Sequence, residues 1–188
     1  MNRLSLARRT QIIGALVEGN SIRSTERMMN THRDTIMRLM VEVGTGCEKL
    51  HNEQMQNLSC KRIQCDEIWS YVKVKQSHIA KGTPRTRIGD QWTFVALDPD
   101  TKLVPSYLVG KRTRDNAVEF MFDLSNRLTN RVQISSDSLR SYVDAVERAF
   151  GADVDYGQIV KFFDAEPTGP ARYAPPTSDA CGEDCHRR

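Results

Sequence analysis

Three runs in the first third of the chain carry apolar residues at helical spacing. The first stops at Gly19-Asn20, the second extends from a capping Ser21 to Met29, and Asn30-Thr31 forms a turn before the third. The third run, which Gly44 can end, has its apolar positions at i, i+3, i+4 and i+7: Ile36, Leu39, Met40 and Val43. The spacing therefore predicts three helices that share a small core.

The outer face of the third predicted helix offers hydrogen-bond donors: Arg33, Thr35 and Arg38. A helix that reads DNA must bury one face in its own domain and present donors to phosphates and base edges with the other. The pattern thus resembles a helix-turn-helix domain over residues 1–46, with these three residues as candidate DNA contacts. A small helical bundle with a solvated basic face would show the same pattern. Residues 47–62 are polar with a weak helical spacing and are expected to form a connector, either a helix or a linker.

From residue 63 onward the spacing is that of strands, followed by an alternation of helices and strands. Alternating β-branched and aromatic residues predict strands over 63–75, 91–97 and 102–110. Pro105 cannot donate to a ladder, so the third of these strands should lie at a sheet edge. A helix, a strand, a helix and a strand follow, at 113–128, 131–136, 139–150 and 153–163.

This βββαβαβ order predicts an α/β fold with a mixed sheet and helices on its faces. One arrangement places the first strand in the middle, the strand with Pro105 at the edge, and the fourth strand parallel beside the first. That arrangement is the ribonuclease-H-like topology, although several other α+β orders remain open. We expect the core over residues 63–163 and an irregular tail over 164–188.

In that topology two aspartates become neighbours, because Asp66 lies on the first strand and Asp137 at the end of the fourth. Carboxylates suit Mg²⁺, and two such ions stabilise the attacking and leaving oxygens of a phosphodiester displacement. From the residues alone, an ordinary strand-end or capping aspartate is the preferred explanation of each. Glu67 follows Asp66 and points to the opposite face by period two, so we expect a surface or interface residue rather than a ligand.

Composition removes several classes of protein. The chain has 188 residues, a net charge of +3 and a mean hydropathy of −0.53, and it lacks the long apolar run of a membrane span. Residues 1–62 hold ten Lys or Arg against six Asp or Glu, a weak sign of a polyanionic partner. The five cysteines are irregularly spaced and no secretory signal is visible, so we expect reduced thiols, no zinc site and a cytoplasmic protein.

Four segments resemble transposases of the insertion-sequence-one family, in that family's order and spacing. They are CDEIWSYV at 65–72, GDQWTFVALDPDTKLVPSYLVGKRT at 89–113, RVQISSD at 131–137 and YVDAVERAFGADVDYGQIVK at 142–161. The resemblance implies a DDE-type transposase with a ribonuclease-H-like core, which cuts the ends of a mobile element and joins them to target DNA. It also implies two Mg²⁺ or Mn²⁺ ions, double-stranded DNA partners at the bacterial nucleoid, and Asp66 and Asp137 as the first two metal-binding acids. A homo-oligomer is compatible with it.

The chain departs from the family's pattern at two places. Ser138 replaces a glycine after the second acid, and we expect it to cap the next helix. The family's third acid, a glutamate on a later helix, has no counterpart, so we expect a truncated or frameshifted copy. Glu166 and Glu183 are the nearest substitutes, but nothing in the sequence fixes either one near a metal. The alternatives are a catalytically dead copy that acts as a DNA-binding repressor or inhibitor, and a ribonuclease-H-like nuclease.

Overall fold

The structure is a computed structural model that describes residues 3–80, 88–163 and 178–186, with only the backbone described for 161–163 and 178–186. The chain divides into two compact units, Met1–Gln54 and Met55–Arg188. Among the helices in these ranges, none combines the length and the apolar composition that crossing a bilayer requires.

The first unit contains three helices, α1 (Leu6–Val17), α2 (Ile22–Met29) and α3 (Arg33–Gln54). The Ser21 side chain accepts the N–H of Ser24 and caps α2 as predicted, and Asn30 ends that helix with a φ of 42°. The unit's fully or nearly fully buried apolar side chains come from α1 and α3: Ile12, Ile36 and Leu39.

The end of α3 corrects the sequence prediction, because the helix continues past Gly44 to Gln54. A glycine inside a helix costs about 1 kcal/mol relative to alanine, which weakens a helix without ending it. Gly19, by contrast, adopts a φ of 83° just after α1, a conformation that ends a helix. Much of the expected connector is therefore helical.

The second unit contains a six-stranded mixed sheet in the order β3-β2-β1-β4-β5-β6. Its elements are β1 (Arg62–Val72), β2 (Gly89–Leu97), β3 (Ser106–Gly110), α4 (Arg114–Arg127), β4 (Val132–Ser136), α5 (Ser141–Phe150), β5 (Val154–Phe163) and β6 (Ser178–His186). Strand β4 runs parallel to β1 and β5, and the other pairs are antiparallel. The predicted mixed α/β fold with ribonuclease-H-like strand order is confirmed.

Strand β3 lies at the sheet edge, as the proline argument predicted. Pro105 is buried directly before the first residue of β3, Ser106, so the strand begins after the residue that lacks an N–H. The backbone ladder of β3 is therefore intact.

The C-terminal tail corrects a second expectation, because residues 178–186 pair antiparallel with β5 rather than being irregular. Residues 178–186 lack apolar periodicity, but backbone N–H and C=O groups alone can satisfy the open edge of a strand. Residues 164–177 of the expected tail lie outside the described residues.

The core of the second unit lies between the sheet and helices α4 and α5. Phe94, Phe120 and Tyr142 are fully buried and lie with ring centroids 5.8–6.4 Å apart. Apolar residues of β1, β4, α4 and α5 complete this cluster: Ile63, Cys65, Ile134, Ala117, Met121, Leu124, Ala145 and Val146. The sheet is thereby fixed close to the point where β4 ends.

Candidate active site

Three acidic residues meet at the end of β4, because β1 is longer than its parallel neighbour. The register between these strands stops at Cys65 and Ser136, so Asp66 and Glu67 extend beyond the last residue of β4. Asp137 follows that last residue. The carboxylate oxygens of the acidic cluster, Asp66, Glu67 and Asp137, lie within 4.8 Å of one another.

Backbone N–H groups position the two aspartates of this cluster. Asp66 is exposed, and its Oδ1 accepts the N–H of Glu67 at 2.8 Å. Asp137 Oδ1 accepts the N–H of Leu139 at 3.0 Å, and Gln158 Nε2 donates to the Asp137 carbonyl at 3.0 Å. Asp137 therefore does serve as a local turn cap, as its ordinary explanation required, yet its second oxygen stays directed at the cluster.

Glu67 corrects the expectation of a residue away from the site. Period two does place it in the same row as Ile63 and Cys65, which are buried, and its side chain is only 1% exposed. Its carboxylate nevertheless reaches the aspartates, because β4 ends before it can separate them. The signal in the sequence was that Glu67 continues the alternating positions of Ile63 and Cys65, which are apolar and buried.

The carboxylate of Glu67 is only half satisfied. Arg112 donates from Nε and Nη2 to Oε2 at 3.1 and 2.8 Å, and Arg112 Nη2 lies 3.3 Å from Asp137 Oδ2. Oε1 is buried and has no hydrogen-bond partner among the side chains that the structure describes. Burial raises the pKa of Glu67 and the nearby Asp137 adds to the increase, while the Tyr142 hydroxyl and Arg112 oppose it.

Tyr142 lies beneath the cluster with a buried hydroxyl group. Burial raises its pKa, and Cys65 and Glu67 raise it further. Glu67 is close enough to have this effect, yet in the described part of the chain neither Glu67 Oε1 nor Tyr142 Oη has a partner in hydrogen-bond geometry. The buried polar atoms next to the acidic cluster, Glu67 Oε1 and Tyr142 Oη, can therefore still accept or donate a hydrogen bond.

An open groove of about 750 Å³ lies beside Asp66 and Asp137. Its lining combines these acids with the hydroxyl groups of Ser135, Ser136 and Ser138 and the apolar side chains of Ile68, Val95, Leu97 and Ile159. Burial raises the pKa of Cys65, which also lines the groove, so its thiol stays protonated. The exposed acids therefore border a space open to a ligand.

The chemistry of these donors fits a divalent cation. Hard ions such as Mg²⁺ and Mn²⁺ prefer carboxylate oxygens, and one oxygen of the set is buried without a donor. Within residues 3–80 and 88–160, this is the one group of three or more His, Cys, Asp or Glu side chains that converges in this way.

The other residues singled out from the sequence are placed as follows. Ser138 does not cap α5, because that helix starts at Ser141 and its N-cap residue, Arg140, makes no side-chain cap bond. Glu183 lies on β6, with its backbone opposite Ile159, and Glu166 lies outside the described residues. Among the described side chains, the third acid of the cluster is therefore Glu67.

The candidate DNA contacts of the first unit all lie on α3. Arg33 and Arg38 are exposed and Thr35 is half-buried. The Arg33 guanidinium lies 3.9 Å from Asp34, while the N–H of Arg33 donates to Glu26 Oε1 at 3.1 Å. Arg38 therefore presents its charge to solvent from the middle of an exposed helix face.

The sequence matches no protein-family model and no curated protein. Solved structures similar to this chain include a Mos1 transposase paired-end complex with left transposon end, at 14% identity over 83% of this chain and 60% of that chain, with a TM-score of 0.33. The Mos1 strand transfer complex shows 16% identity over 83% and 59%, with a TM-score of 0.36. This chain thus spans about three fifths of their length. Similarity at this level establishes neither a shared activity nor a shared partner.

Proposed function

We propose that this chain is a DDE-type DNA transposase of the insertion-sequence-one kind, which cleaves DNA at element ends and joins those ends to target DNA. The observation that carries the proposal is the acidic cluster, whose oxygens lie within 4.8 Å of one another beside an open groove on a ribonuclease-H-like sheet. The resemblance of four sequence segments to that family supports the same chemistry.

The residues of the cluster would hold Mg²⁺ or Mn²⁺, which when bound activates the attacking oxygen and stabilises the leaving oxygen of a phosphodiester. The chain itself holds the two aspartate side chains in place. The Glu67 N–H fixes the Asp66 carboxylate, and the Leu139 N–H with Gln158 fixes Asp137. Because Asp66 lies within β1 and Asp137 directly follows β4, rather than in long loops, their separation is held by the sheet ladder.

The first unit supplies the DNA-binding part of the proposal. Arg33, Thr35 and Arg38 would contact DNA from α3, whose other face is anchored by Ile36 and Leu39. Phosphate contacts would come from the arginines and would provide affinity before any cutting takes place.

Charge-neutral substitutions of the two exposed acids test the proposal. Asp66→Asn and Asp137→Asn should each lower Mg²⁺- or Mn²⁺-dependent cleavage and joining of DNA at least about a hundredfold, because each removes an anionic ligand. The assay would use duplexes from either side of the gene, and gel shifts would show whether DNA binding is retained. Asp153→Asn, at an exposed aspartate between α5 and β5, is the matched control and should cut like the wild type.

Other results would point to the alternative functions. Equal cleavage by the wild type, D66N and D137N would remove these residues from the chemistry. Tight DNA binding with no cutting in any variant would favour a repressor or inhibitor. Hydrolysis without strand joining, above all of RNA–DNA hybrids, would favour a nuclease.

A further inference from the structure

Arg112 occupies an unusual place for a loop residue, because it binds two of the three acids in the cluster. It lies between β3 and α4, and its Nη2 is 2.8 Å from Glu67 Oε2 and 3.3 Å from Asp137 Oδ2. The guanidinium therefore bridges Glu67, which lies on β1, and Asp137, which follows β4.

The backbone around Arg112 is held independently of this ion pair. Asn116 Nδ2 donates to the Lys111 carbonyl at 2.7 Å, and Lys111 Nζ donates to the carbonyls of Ile88 and Asp90 at 2.7 Å. The Gly110 position is closely packed, since a Cβ there would lie 2.4 Å from Asn116 Nδ2. A change in the Arg112 side chain therefore does not require the loop to move.

The Arg112 side chain itself is less confined. It is 35% exposed, and its Cζ lies 4.8 Å from the ring centroid of Trp92, a cation–π contact that is independent of the acids. The guanidinium can therefore leave the carboxylates while keeping an aromatic partner beside it.

We propose that Arg112 is the resident counter-cation of the acidic cluster, and that a divalent cation must displace its guanidinium from Glu67 and Asp137 to bind there. This rests on the proposed function, whose metal it concerns. A guanidinium stays charged at any relevant pH and occupies the same carboxylate lone pairs that a metal needs. Both hydrogen bonds from Arg112 to Glu67 end on Oε2, so one guanidinium leaves the buried Oε1 without a cationic partner among the described residues.

The displacement has a functional consequence for DNA. With the carboxylates bound to a divalent cation, the guanidinium is released for a phosphate group, whose two non-bridging oxygens can accept two parallel N–H bonds from it. Arg112 would then act as a positioning residue, coupling occupancy of the acidic cluster to phosphate binding.

A Mn²⁺ titration followed by electron paramagnetic resonance, with no DNA present, tests this competition. Arg112→Gln should bind Mn²⁺ roughly tenfold more tightly than the wild type, because the apparent affinity rises when a competitor no longer occupies the site. Arg114→Gln is the matched control: Arg114 pairs with Asp144 rather than with the cluster, and its removal should leave Mn²⁺ affinity unchanged. Without metal, R112Q should melt at a lower temperature than the wild type, and Mn²⁺ should raise its melting temperature more.

Equal or weaker Mn²⁺ binding by R112Q would overturn the proposal and would make Arg112 a purely structural partner of Glu67. Absence of Mn²⁺ binding in every protein would overturn it as well. Should R112Q not fold, R112K keeps the charge but loses the two-nitrogen contact with Glu67, and it should bind Mn²⁺ more tightly than the wild type. Since the titration contains no DNA, a chain that shows the competition yet fails to cut DNA would refute the transposase function alone.

Discussion

Asp98 is a buried carboxylate in the turn between β2 and β3. Its Oδ1 accepts the N–H of Asp100 at 2.9 Å and its Oδ2 accepts the Thr101 hydroxyl at 2.8 Å. The N–H of Asp100 is the largest cause of a pKa below the ordinary value of 3.8. The folded state therefore binds this proton more weakly than the unfolded state does.

The lowered pKa of Asp98 predicts how the free energy of unfolding depends on pH. A lowered pKa contributes stability that is present above the unfolded value of 3.8 and is lost as pH falls through the folded value. Asp98→Asn should lower the free energy of unfolding at neutral pH by about 1–3 kcal/mol and flatten its decline in acid. Urea unfolding across that pH range measures both effects, with Asp115→Asn as an exposed control. An acid limb as steep in D98N as in the wild type would show that the turn does not depend on this charge.

At the residue scale, the sequence predicted that Asp66 and Asp137 are neighbours, as they are in the structure, but it did not predict that Glu67 and Arg112 lie beside them. The two aspartates follow from strand order, which hydrophobic spacing and Pro105 predicted. Glu67 depends on the length difference between β1 and β4, and Arg112 depends on a contact between a loop and two strands. Periodicity assigns a side chain to a face, but it does not report where the neighbouring strand stops.

At the scale of elements, α3 carries the prediction about DNA. Arg38→Ala should weaken DNA binding and reduce the slope of log K against log salt by about one, because one phosphate contact is lost. Fluorescence anisotropy at several salt concentrations measures the slope. Lys49→Ala, on the same helix but paired with Glu53 near its end, provides the comparison. A salt slope that is the same for R38A and wild type would show that this helix face does not contact phosphates.

Elements whose type follows from side-chain periodicity were predicted well, and elements that depend on tertiary pairing were not. Helices α4 and α5 and strand β4 lie where their apolar spacing placed them. Strand β6 has no such pattern, since its pairing comes from the free edge of β5. The extension of α3 beyond Gly44 likewise reflects a small local cost that the rest of the helix outweighs.

At the scale of the whole molecule, two units divide the proposed work. Met1–Gln54 presents exposed arginines on a helix, and Met55–Arg188 brings three acids together at the end of a parallel strand pair. The proposed function depends on the second unit. It requires that the acidic cluster binds divalent cations and is not a set of carboxylates neutralised only by Arg112.

Anomalous diffraction from a crystal of the wild-type protein grown with Mn²⁺ tests that claim most directly. The account predicts an anomalous peak at bonding distance, about 2.0–2.3 Å, from oxygens of Asp66 and Asp137, with the Arg112 guanidinium moved off Glu67. A crystal with Mn²⁺ bound only elsewhere, or with Arg112 still bridging Glu67 and Asp137 at saturating Mn²⁺, would contradict it.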